Sequence, residues 1–241
     1  MKLTEQDIIR LNNILTTCAV GGVESIIIED GYVRGVNEAR TFVIISNHEV
    51  PKFPQKIGLS RLTSLKQRLE LFSGNPATII DAKESDRGEI GSLDISAGRS
   101  KVQYRCTSTM LIKAPKSVND EATHKIFISK DELKLILNAV KVMGGKTVQL
   151  VIKKDRTVSI IANDTTNDAF TAVLDTPAEF VDEDQDSVVH YYHADICSTV
   201  LRTANFDITT LQVGAAGTLT TTVNGHRVVI MPKVNEDSEE A

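Results

Sequence analysis

Apolar residues recur every three or four positions along 5–17, where Ile8, Leu11 and Leu15 share one side of a helix. The same spacing returns along 130–143 with Leu133, Ile136 and Val140. Both runs open on a hydroxyl N-cap with an acid three residues later, Thr4 with Asp7 and Ser129 with Glu132. Aspartate makes the first the looser capping box. Both close on a glycine pair, Gly21-Gly22 and Gly144-Gly145, suited to the left-handed residue that ends a helix. Matched starts and matched ends, 125 positions apart, point to a duplicated unit.

The correspondence runs on downstream. Strand-like segments follow at 23–28 and 147–152, turns at Asp30-Gly31 and Lys154-Asp155-Arg156, second strands at 32–36 and 157–162, and third strands at 42–46 and 170–174. A second amphipathic helix is predicted over 60–72, with Leu62, Leu65, Leu69 and Phe72 inward. Its counterpart is 194–204, with Ile196, Cys197, Val200, Leu201 and Ala204 inward. Closing strands fall at 77–81, 93–97 and 102–107 in one half and at 209–213, 219–223 and 227–231 in the other. Asn224-Gly225 marks a two-residue hairpin between the last two. The expected fold class is α+β: two tandem copies of a helix–strands–helix–strands domain, with helices on one face of antiparallel sheets. The copies are 1–109 and 124–241, and 110–123, with a proline and mixed charge, is the connector. Asp182–Asp186 reads as an acidic loop and Glu236–Glu240 as an acidic tail.

Composition narrows the function. The chain is 41% hydrophobic and 24% charged, as in ordinary globular proteins. No apolar run reaches the ~18–20 residues of a membrane span, and MKLTEQDII lacks the apolar core of a signal peptide. Three widely spaced cysteines give no disulfide framework, so the cytoplasm is the expected compartment. Aromatics at 5% and no tryptophan argue against reading single strands by stacking. Several apparent motifs dissolve on spacing. Gly144-Gly145-Lys146-Thr147 resembles the end of a P-loop, but position 140 is valine and the glycines end a helix rather than open one. His190 and His193 on one strand point to opposite faces. Asp182, Asp184 and Asp186 begin like a calcium loop but are followed by Ser187 where glycine is needed. No G-x-S-x-G nucleophile signature is present, and His48 stands alone in its half. No catalytic residue, metal or cofactor is expected.

The net charge of −5 disfavours nucleic acid, yet the four helical segments carry eight basic residues against six acidic ones. Lys134, Asn138 and Lys141 fall at i, i+4, i+7; Gln6, Arg10, Asn13 and Thr17 form a similar row, as do Arg61, Ser64 and Arg68. Such faces suit phosphates met without base reading. Together with the tandem copies, the connector, the opening HKIFISKDELKLILNAVKVM and the ending Val228-Val229-Ile230-Met231-Pro232, this resembles the DNA sliding clamps, processivity factors of replicative polymerases. Two copies in this length are similar to the two-domain trimeric clamps, with a phage (T4-like) member as the best fit. The resemblance implies a homotrimeric ring around double-stranded DNA, held by topology, with a replicative DNA polymerase and a clamp loader ATPase as partners and no membrane association. It implies DNA-facing roles for Arg10, Asn13, Arg61, Arg68, Lys134, Asn138, Lys141 and Arg202, and a partner-binding pocket from Leu111, Ile112, Ile230, Met231 and Pro232. The alternatives are a tandem-domain structural or assembly protein indifferent to DNA and, with no constellation to support it, an enzyme with its cleft between the copies.

Overall fold

The computed structural model describes residues 1–75, 77–166, 168–181, 186–203 and 207–233. The chain divides into two compact units, Met1–Ser117 with Asn224–Val228, and Val118–Val223 with Val229–Ala241. In the first, α1 (Glu5–Gly21) is followed by β1 (Ser25–Glu29), β2 (Tyr32–Val36), β3 (Phe42–Ser46), β4 (Ile57–Ser60), α2 (Leu62–Glu70), β5 (Ile79–Glu84), β6 (Ile90–Ala97), β7 (Ser100–Arg105) and a 3-10 turn, Thr109–Leu111. In the second, β8 (Ala122–Ser129) leads into α3 (Lys130–Met143), β9 (Thr147–Ile152), β10 (Val158–Asn163), β11 (Ala169–Val173), the short β12 (Glu179–Phe180), β13 (Val188–His193), α4 (Ala194–Arg202), β14 (Ile208–Gly214) and β15 (Leu219–Val223); β16 (His226–Ile230) follows. The predicted α+β class and helix–strands–helix–strands order are the observed ones.

Both capping boxes form. The Thr4 hydroxyl accepts from the Asp7 amide, and the Ser129 hydroxyl accepts from the Glu132 amide, while each acid reaches back to its cap residue. Gly22 (φ 67°) and Gly144 (φ 66°) end α1 and α3 in the left-handed conformation. Asn224 and Gly225 both have positive φ, 49° and 84°, as a type I′ hairpin turn demands.

In the first unit β3, β2, β1 and β4 lie side by side, all antiparallel. β4 meets β6 in parallel at Ile57 and Ile90, and β6 pairs antiparallel with β5 and β7. In the second unit β11, β10, β9 and β13 repeat the first arrangement, and β12, β8, β14 and β15 form a further antiparallel array. The internal repeat reaches individual bonds. The Thr107 amide donates to the Gly58 carbonyl at 2.9 Å, and the Lys233 amide donates to the Tyr191 carbonyl at 2.6 Å. Each bond ties the segment leaving a copy to the strand that precedes its second helix.

The helices cover one side of the strands through apolar stripes. Leu11, Ile14, Leu15 and Cys18 of α1 are 0–1% exposed and pack with Leu62, Leu65 and Leu69 of α2 over Ile26, Ile28 and Ile44. In the second unit Leu133, Ile136, Cys197, Val200 and Leu201 close over Val148, Leu150 and Ile160. The void left beneath α3 and α4 is about 20 Å³, far below ligand size.

The structure differs from the sequence reading in three places. α2 starts at Leu62, not residue 60, because Ser60 belongs to β4 and Arg61 adopts φ 55°, ψ 49°, which no helix can include. β8 already begins at Ala122, inside the expected connector. β12 was not foreseen, since two residues carry no periodicity. The expected acidic loop at 182–186 and tail at 236–240 lie outside the described residues, save Asp186.

Candidate nucleic-acid interface

The outward side of the α3–α4 layer is built by subtraction. Leu133 and Ile136 fix which side of α3 faces the strands, and the 100° step per residue then places Lys134, Asn138 and Lys141 opposite. All three are exposed, as is Lys130 at the first turn. Lys134 lies 3.6 Å from Asp131, both largely solvated at 66% and 95% exposure. Such a pair contributes little and leaves the ammonium free to exchange partners. On α4 the exposed residues are Asp195, Thr199 and Arg202. Four exposed cations and an amide thus share this layer, with two exposed acids, both in first turns where the helix dipole favours them.

The α1–α2 layer is different. Arg10 is on a flank of α1: its side chain is 28% exposed, its guanidinium is 3.7 Å from the buried Asp7 carboxylate, and its Nε is buried without a hydrogen-bond partner among the described residues. Hydrogen bonds from Thr4 and the nearby Arg10 charge outweigh burial and hold Asp7 below the usual carboxylate range. Asn13 is half-buried, and Thr17, expected on the outer face, is fully buried with its hydroxyl on the Asn13 carbonyl. The exposed residues of α1 are Glu5, Gln6, Ile9 and Ala19, and Glu5, Ile9, Asn12 and Thr16 line an open cleft against α2. Arg61 precedes α2 rather than riding on it. Its guanidinium donates to the Arg105 carbonyl at 3.4 Å and lies 5.7 Å from the Tyr104 ring, and Arg68 lies at the same distance from that ring. The fully buried Tyr104 is anchored in turn by its hydroxyl on the backbone of Ser60.

The expected partner residues divide by burial. Ile230 (1% exposed) and Ile112 (9%) are core residues, Ile112 packing beside Gly58. Leu111 is 77% exposed next to Met110 at 84%, and Met231 and Pro232 are half-exposed. The 3-10 turn presenting Met110 and Leu111 is fixed from below by Glu89, a buried carboxylate that accepts from the Thr109 hydroxyl and amide and lies 3.3 Å from the Lys56 ammonium. Those bonds keep the Glu89 carboxyl ionised below its ordinary range. Sequence offered no sign of this latch, because Glu89 and Thr109 are 20 positions apart.

No group of three or more His, Cys, Asp or Glu poised for a metal occurs among the described residues, and none of their helices is long and apolar enough to cross a membrane. Burial pushes the Cys106 and Cys197 thiols up to about 12, and the Cys18 thiol further still, the reverse of what a nucleophile needs. His193 serves as the N-cap position of α4. His190 is half-buried, its Nε2 without a hydrogen-bond partner among the described residues and its ring against Gly217. His124 is fully buried, its Nδ1 2.9 Å from the Thr123 hydroxyl and its ring edge-on to Phe180.

Burial lowers the pKa of His124 and His190 below the ordinary 6.5, partly offset for His190 by Asp120. The unfolded chain therefore binds more protons than the folded one as pH falls through 6.5 and below. The second unit should hold its thermal midpoint above neutral pH and lose several degrees between about pH 6.5 and 5, before carboxylates such as Asp120 titrate. Calorimetry across that range checks it, with His124→Phe expected to flatten the slope.

A scan against protein-family models and a search of curated proteins found no match. Solved structures do match, over the whole chain. A. fulgidus PCNA, determined with the C-terminal region of FEN-1 bound, superposes with a TM-score of 0.67 at 14% identity, covering 98% of this chain and 99% of that one. The fold is that of a DNA sliding clamp. The same clamp fold relates the chain to a chain of the PCNA2–PCNA3 complex from Sulfolobus tokodaii (TM-score 0.63, 14% identity, 98% and 100% covered). It relates it also to the DNA polymerase III subunit beta of Pseudomonas aeruginosa (TM-score 0.69, 13% identity), of which all of this clamp-fold chain spans 68%.

Proposed function

We propose that this protein is a DNA sliding clamp: a homotrimeric ring that encircles duplex DNA without reading sequence and tethers a replicative DNA polymerase, after opening by a clamp loader ATPase. The observation that carries this reading is the end-to-end match of a two-copy chain to PCNA, coupled to an exposed face of lysine, asparagine and arginine on the α3–α4 layer. Topology, and not a catalytic group, does the work, so no cofactor is required, and the expected setting is the cytoplasm. The chain's small size and its divergence support a phage-encoded member.

The trimer reading is supported by two open strand edges. Among the described residues β7 pairs with β6 alone and β11 with β10 alone. From Gly98 to Cys106 the chain carries Arg99, Lys101 and Arg105 and no acid; from Asp164 to Asp175 it carries Asp164, Asp168 and Asp175 and no base. Exposed apolar residues flank both, Leu71 (74%) by β7 and Val142 (82%), Leu135 (54%) and Val173 (59%) by β11 and the α3 that packs on it. Two different, complementary surfaces make a head-to-tail contact, the kind that closes rings. Leu111, Met231 and Pro232 are the exposed candidates for polymerase contact, whereas Ile112 and Ile230 are buried.

Light scattering over a concentration series, paired with primer extension on circular template with the cognate polymerase and loader, tests the reading. Three chains of 26.4 kDa make about 79 kDa, and that species should lengthen products. One-chain mass at every concentration with no effect on extension would favour the tandem-domain assembly protein instead.

A further inference from the structure

We infer that the two helical layers do not share the DNA: the α3–α4 layer carries the phosphate contacts, and the α1–α2 layer is close to electrostatically silent toward the duplex. This rests on the clamp reading and concerns which half of each chain performs it. The helical segments hold similar numbers of cations in both halves, so the difference lies in where the fold sends them.

In the second unit the cations stand clear. Lys130, Lys134, Lys141 and Arg202 are exposed, and among the described residues only Lys134 has an ion pair, a solvated one at 3.6 Å. In the first unit each is drawn aside. Arg10 turns to Asp7, the exposed Arg61 and the half-buried Arg68 each lie 5.7 Å from the Tyr104 ring beside β7, and Lys66 is half-buried in the clefts between α1 and α2, which the exposed Glu70 also lines. What α1 turns outward is Glu5, Gln6, Ile9 and Ala19, an acid and three uncharged side chains. Phosphate binding depends on cations that reach condensed counterions and displace them. A guanidinium committed to a buried carboxylate or an aromatic ring must first give up that partner.

The test is the salt dependence of binding to a fluorescently end-labelled duplex of arbitrary sequence, followed by anisotropy. Lys134→Gln with Lys141→Gln should lower the slope of log K against log salt by about 2 or more, since each phosphate contact contributes about 1. Lys66→Gln with Arg68→Gln should leave the slope within about 0.5 of the parent. Lys66→Gln alone, which spares the Tyr104 stack, keeps the comparison readable if the double variant is unstable. Equal slope losses from the two layers would overturn the inference while leaving the clamp intact. A parent protein with no salt-dependent binding to duplex would also overturn the inference, and primer extension on circular template then decides the clamp reading separately.

Discussion

Arg99→Glu combined with Arg105→Glu should turn the proposed trimer into monomers at micromolar concentration, as read by light scattering. Both side chains are exposed at the ends of β7 and neither has an ion-pair partner among the described residues, so the fold of the first unit should tolerate the change. The effect arises between copies. A single exposed ion pair is worth only about 0.2–1 kcal/mol, but reversal replaces attraction by like-charge contact, which costs several kcal/mol at a joint, and a ring of three has three joints. Affinity at each should fall by a factor of about 100 or more, as about 2.7 kcal/mol converts. Adding Asp168→Arg and Asp175→Arg to the same chain restores opposite signs and should restore the trimer. A 79 kDa species that survives the reversal would move the joint elsewhere.

Gly145→Ala should cost the second unit more than any change at its helix cap. A Cβ at Gly145 would stand 1.7 Å from the Asn163 carbonyl oxygen, and backbone cannot step aside as a side-chain tip can. Displacing β10 to make room costs on the order of 3 kcal/mol, at the upper end for overpacking, or roughly 12–20 °C in the midpoint of a unit this size. Gly144→Ala meets nothing within 4 Å and pays only for φ 66°, about 1–2 kcal/mol. In the first copy the order is reversed: Gly22 holds the left-handed cap, and Gly21 is the glycine pressed close, against the Phe42 ring. Thermal unfolding of the two single variants settles the ranking, and equal losses would place the constraint in conformation alone.

The repeat could be read because its signals are local. A hydroxyl three residues before an acid, a 3–4 apolar period and a glycine pair are each satisfied within one turn of chain, and α1, α3 and the Asn224-Gly225 hairpin duly formed. The outer face of α3 was legible for the same reason, since Leu133 and Ile136 leave no choice of where Lys134 and Lys141 point. Arg61 departs from the helix surface because its partner is distant and its backbone left-handed, whereas Arg10 and Thr17 turn to groups within one turn of chain, Asp7 and the Asn13 carbonyl, a choice that apolar periodicity does not register. Tyr104 lies 43 positions from Arg61, and nothing in SRLTSL announces that Arg61 will take a left-handed backbone and fall off the helix. Burial of Ile112 and Ile230 could not be told from surface exposure, as a single isoleucine after a turn or at a strand end serves either use. The glycine pairs were recognised as stops, but which member stops the helix and which admits a neighbour depends on strands that fold over them later.

The bonds from Thr107 to Gly58 and from Lys233 to Tyr191 give each copy the same doorway, at the same height on the same strand. A unit with matched entry and exit behaves as a tile. Lengthening such a chain requires no new join, only the existing one made again. A protein of which this one spans 68% has the length of three tiles where this has two, and a gene can pass between those lengths by copying whole words without rewriting any letter inside them.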